Sequence, residues 1–74
     1  MRKETFIDNM KARGYELRNV RNGNVIAQKG DITVRWVTLA NYGVYIDTPT
    51  VTALTDENAT DDDETLRIVD ALTA

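Results

Sequence analysis

The spacing of the apolar residues changes at Gly14, and this change constrains the fold more than any other feature of the chain. Before it, Phe6, Ile7 and Met10 recur at helical spacing. Glu4 and Asp8 lie early in this segment and Lys11 and Arg13 late, which suits the helix dipole. The spacing predicts a short amphipathic helix over residues 2–13, closed by Gly14 in the left-handed conformation. From Tyr15 onward the period is two, with glycine-containing turns between the runs.

The turns set a register. Gly30-Asp31 reads as a two-residue hairpin loop that pairs Lys29 with Ile32, Ala27 with Val34 and Val25 with Trp36. A two-residue turn at Asn22-Gly23 would place Val25 and Ala27 opposite Val20 and Arg18 and bury an arginine. A three-residue loop, Arg21-Asn22-Gly23, instead pairs Leu17 with Ala27 and sets Tyr15 opposite Lys29. Tyr15, Leu17, Val25, Ala27, Ile32, Val34 and Trp36 then share one face. The same reasoning at Asn41-Tyr42-Gly43 pairs Ala40 with Val44 and Thr38 with Ile46. The opposite face carries Arg18, Gln28, Thr33, Arg35 and Tyr45, with Ile26, Val37 and Leu39 as an apolar patch.

Pro49 is expected to end this meander. Thr50 to Thr55 reads either as an edge strand or as loop, and Asp56 to Thr60 as loop. Asp61 and Glu64 have capping spacing ahead of the stripe Leu66, Val69 and Leu72, which predicts a C-terminal helix over residues 61–73. The expected architecture is a single α+β domain over residues 1–74. It is a small two-layer sandwich of N-terminal helix, three- to four-stranded antiparallel meander and C-terminal helix.

The junction Arg13-Gly14-Tyr15-Glu16-Leu17, after a helix and before a short hairpin, resembles the start of HicA-type toxin domains, whose fold is like that of double-stranded-RNA-binding domains. Those toxins depend on a histidine on the strand after the junction, and this chain has no histidine. The resemblance therefore implies a helix–meander–helix fold and no ribonuclease activity.

The residue types exclude most chemistry. The 74 residues include no cysteine, no histidine and no serine. Disulfides, thiolate or imidazole metal ligands and Cys, His or Ser nucleophiles are thereby absent. The acids Asp56, Glu57, Asp61, Asp62, Asp63 and Glu64 do not fit a calcium loop. A register starting at Asp56 puts Asp61 at the glycine position and Arg67 at the bidentate glutamate. Acid–base catalysis by carboxylates needs a pocket that separates their pKa values, and consecutive surface acids are well hydrated. The expectation is no enzyme, no metal and no cofactor. The sequence also shows no secretion signal and no membrane-length apolar run, which makes the cytoplasm the expected location.

Charge is divided unequally: residues 1–36 carry net +4 and residues 37–74 net −7. Either the halves neutralise each other or the asymmetry serves a partner. The leading expectation is a protein-binding module, of the kind of a small acidic phage or mobile-element inhibitor or adaptor. In it Asp56, Glu57, Asp61, Asp62, Asp63, Glu64 and Asp70 cover a basic surface of a nucleic-acid-handling partner. A second expectation is a nucleic-acid-binding module acting through Arg18, Arg21, Lys29 and Arg35. A third is a subunit that self-associates, as a homodimer or larger assembly, through Ile26, Val37 and Leu39.

Overall fold

A computed structural model describes residues 1–18, 23–37, 42–56 and 61–74. The elements are α1 (Lys3–Ala12), β1 (Glu16–Arg18), β2 (Val25–Lys29), β3 (Ile32–Trp36), β4 (Tyr42–Asp47), β5 (Thr52–Asp56) and α2 (Asp62–Thr73). The five strands form one antiparallel sheet in the order β1-β2-β3-β4-β5. The domain is the expected α+β sandwich with five strands rather than three or four.

Helix α1 ends as its sequence dictates. Gly14 has φ +85°, the Tyr15 N–H donates to the Met10 carbonyl (3.0 Å), and the Gly14 N–H donates to that of Lys11 (3.0 Å). This pair of bonds satisfies two carbonyls at the helix end and turns the chain into β1, with both Met10 and Tyr15 buried. Helix α2 begins with Asp61, whose carboxylate accepts the Glu64 N–H at 2.8 Å, a cap that contributes about 1 kcal/mol.

The register of the first three strands follows the expected turn chemistry. Leu17 pairs with Ala27, which pairs with Val34, and Val25 pairs with Trp36. Phe6 and Met10 of α1 and Val69 of α2 close over Tyr15, Val25, Ala27, Val34, Val44 and Ile46 to form the core. Both helices therefore lie on one face of the sheet, α1 against β1 and β2 and α2 against β4. The Met1 ammonium lies 3.6 Å from Asp62 and Arg13 binds Asp70, so the helices run side by side in the same direction.

Three expectations are corrected. Val44 pairs with Trp36 and Ile46 with Val34, not with Ala40 and Thr38. The displacement is an even number of residues, so Val44 and Ile46 point inward in either register and the hydrophobic pattern cannot separate the two. Pro49 does not end the meander: Thr48 to Val51 turn β4 into β5. The Thr48 N–H donates to the Val51 carbonyl (2.8 Å), and the Thr48 hydroxyl accepts the Val51 N–H (2.9 Å) in place of a backbone carbonyl. Asp56 closes β5 rather than opening a loop. The expected turn at Arg21-Asn22-Gly23 and the residues Thr38, Leu39, Ala40 and Glu57 lie wholly or partly outside the described residues.

Between β4 and β5 the register shifts by one. Tyr45 pairs with Leu54 but Tyr42 with Asp56, so Gly43 and Val44 together oppose Thr55. The buried Thr55 hydroxyl sits in this bulge and accepts the Val44 N–H at 2.8 Å.

Candidate functional site

The two faces of the sheet have different fates. The helices cover one; the other carries two rows of side chains, one residue from each strand. The strand pairings place Arg18, Ile26, Arg35, Tyr45 and Leu54 in the first row and Glu16, Gln28, Thr33, Asp47 and Thr52 in the second. At about 4.8 Å between strands, the first row spans about 19 Å. Arg18 and Leu54 are exposed at its two ends, and Ile26, Arg35 and Tyr45 are half-buried between them.

At the centre of the row the Arg35 guanidinium lies over the Tyr45 ring, 4.6 Å from its centroid. The paired positions on β3 and β4 bring the two side chains together, and the cation is held against the ring face. Among the described residues the guanidinium has no hydrogen-bond partner, and its Nε is buried. Arg35 therefore presents a positioned set of donors with none consumed internally. Such a group recognises a planar acceptor such as a carboxylate.

The residues expected to form a basic site are not brought together. Arg18 and Arg35 share the open face, but Lys29 belongs to the other side. Its ammonium donates to the Arg13 carbonyl (3.0 Å) and lies 5.5 Å from the Tyr15 ring, where it secures the α1–β1 junction. Arg21 lies outside the described residues. With Glu16 and Asp47 in the neighbouring row, the open face is of mixed charge rather than basic.

The acids divide as well. Asp61 caps α2, Asp62 faces the Met1 ammonium, and Asp70 lies two turns along the helix in a bidentate pair with Arg13, with Nε to Oδ1 at 2.7 Å and Nη2 to Oδ2 at 3.0 Å. Arg13 also donates through Nη1 to the carbonyl and side chain of Asn9. Asp63 and Glu64 are exposed, and their carboxylates have no partner among the described residues. Part of the charge asymmetry is thus neutralised within the fold. Among the described residues no three carboxylates converge as a metal site, and no helix is long and apolar enough to cross a membrane.

The hydrogen bonds from Arg13 hold the Asp70 carboxyl below its ordinary pKa and raise that of Arg13. A depressed carboxyl stabilises the fold fully above its unfolded pKa of about 3.9, and the contribution is lost as pH falls through the folded value. Because Asp70 is half-exposed, the pair is worth at most about 1 kcal/mol. Asp70→Asn should therefore be less stable than the parent at neutral pH and indistinguishable from it in strong acid. Urea titrations of both chains across that range measure the convergence.

Sequence reasoning placed Arg18, Ile26, Arg35 and Tyr45 on this face but missed Leu54, which is 51% exposed. Comparison with known protein families, curated proteins and solved structures finds no match for this chain.

Proposed function

We propose that this protein is a non-enzymatic protein-binding module whose contact surface is the open face of the sheet. The observation that carries this reading is the row Arg18–Ile26–Arg35–Tyr45–Leu54, in which two arginines alternate with apolar and aromatic side chains, on the one face of the sheet that neither helix covers. Arginine and tyrosine are enriched among residues that dominate interface energetics, and a stacked pair loses little rotamer freedom on binding. The partner that fits presents a carboxylate opposite Arg35 and apolar surface opposite Ile26 and Leu54. The mixed charge of the face and a sequence pI of about 4.7 oppose nucleic acid as the ligand.

A second reading rests on Asp63 and Glu64, exposed at the start of α2: this end engages a basic surface, as an inhibitor or adaptor of a nucleic-acid-handling protein would. Affinity capture with three baits separates these. Arg35→Ala with Tyr45→Ala, verified as folded by circular dichroism, should lower capture of the partner by roughly tenfold or more, the equivalent of 1.4 kcal/mol. Asp63→Lys with Glu64→Lys should leave it unchanged. The reverse pattern transfers the function to the acidic end. Salt-sensitive binding of a labelled oligonucleotide, lost with Arg18 and Arg35, would assign it to nucleic acid instead.

A further inference from the structure

The two edges of the sheet are unequal. Among the described residues strand β1 exposes a charge at two of its three positions, Glu16 and Arg18; a charged edge is poor at recruiting another strand. Strand β5 has five residues, Thr52-Ala53-Leu54-Thr55-Asp56, with no lysine and no proline among them. Among the described residues no strand pairs with its outer side.

The direction of the free backbone groups follows from the turn. The Thr48 N–H donates to the Val51 carbonyl, which makes Thr48:Val51 a hydrogen-bonded pair. Along an antiparallel ladder such pairs alternate with non-bonded ones. Asp47:Thr52 is then non-bonded, Ile46:Ala53 bonded and Tyr45:Leu54 non-bonded. The backbone N–H and C=O groups of Thr52 and Leu54 consequently point away from β4, outward along the sheet. Leu54 presents an outward amide and a side chain that is 51% exposed.

We infer that β5 is a self-pairing edge through which two copies of this chain join, antiparallel and about a twofold axis at Leu54, into one continuous sheet. The segment is self-complementary about that residue. Leu54 faces Leu54 of the second copy and exchanges both backbone hydrogen bonds with it, Ala53 faces Thr55, and Thr52 faces Asp56. No like charges oppose each other, and the two exposed leucines cover one another. A twofold contact of this kind uses the β5 edge of both copies and so closes on itself at a dimer; the remaining β1 edge exposes Glu16 and Arg18. A chain of this length buries only about 60% of its unfolded surface, so an added strand pair stabilises it materially. The pairing shares Leu54 with the row proposed above but is carried by the backbone edge of β5 and leaves Arg35 and Tyr45 uninvolved. Failures of the two proposals can therefore be told apart: the Arg35→Ala, Tyr45→Ala variant should still dimerise.

Sedimentation equilibrium over a concentration series, together with amide hydrogen exchange of the parent chain, tests this. The expected result is a reversible species of twice the 8.3 kDa chain mass, with concentration-dependent protection of the Leu54 amide. Leu54→Pro removes an outward N–H without removing a ladder bond to β4. Leu54→Lys sets two ammonium groups against each other at the axis. Each should weaken dimerisation by roughly tenfold or more. A chain that stays monomeric throughout overturns the proposal, as does a dimer in which the Leu54 amide exchanges freely. The exchange measurement needs no variant, so it decides the matter even if Leu54→Pro fails to fold.

Discussion

Phe6→Ala is expected to cost about 3–5 kcal/mol and to shift the unfolding midpoint to much lower denaturant. Phe6 is fully buried and, with Met10, forms the face by which α1 docks on the sheet. Its removal strands a cavity in the core cluster that Phe6 forms with Met10 and the inward residues of the sheet. Collapse to fill it is resisted, because the hydrogen bonds donated by the Gly14 and Tyr15 N–H groups fix where α1 ends. A domain of this size has roughly 4–11 kcal/mol of stability in all, so the loss takes a large share of it. Trp36, the single tryptophan, bonds the Met1 carbonyl through its indole N–H at 2.7 Å and reports on the same assembly. Its fluorescence in a denaturant series measures the change. A loss below about 1 kcal/mol would mean that α1 is not docked through Phe6. Ile7→Ala, at a half-buried position one residue on, should cost distinctly less.

How much of this architecture the sequence reveals depends on how much of it is written in local chemistry. The end of α1 is legible because one residue, Gly14, must adopt positive φ there. The β2–β3 register is legible because Gly30-Asp31 admits a single two-residue loop. The β1–β2 register is legible by elimination, since the alternative buries Arg18. At β3–β4 the same tools fail: competing turn positions differ by an even shift, and both bury Val44 and Ile46. Strand β5 is hidden for a different reason. Its inward positions hold Ala53, which is small, and Thr55, which is polar, so no hydrophobic alternation marks it. The candidate site inherits that gap. Four members of the outer row follow from strands with clear alternation, while Leu54 becomes visible only once β5 is placed. The pairing of Arg13 with Asp70 joins residues 57 apart in sequence, across two helices whose relative direction no local pattern encodes.

Thr55→Val is expected to destabilise the protein by about 1–3 kcal/mol although the two side chains have nearly the same shape. The Thr55 hydroxyl accepts the N–H of Val44, and both residues are buried, at 5% and 1% exposure. Valine leaves that N–H without an acceptor in a place water does not reach, which is the costly half of a broken hydrogen bond. Thr55→Ser keeps the acceptor and loses only a methyl group, so it should be the milder change. Thr52→Val on the exposed side of the same strand should stay within about 0.5 kcal/mol. Urea unfolding ranks the three, and exchange of the Val44 amide identifies the group responsible. The turn at Thr48 to Val51 already sets Leu54 beside Tyr45, so the effect beyond stability is local: the hydroxyl holds the shifted pairing that brings Asp56 opposite Tyr42. If Thr55→Val left both stability and Val44 exchange unchanged, the bulge would have to be held by something other than this hydrogen bond.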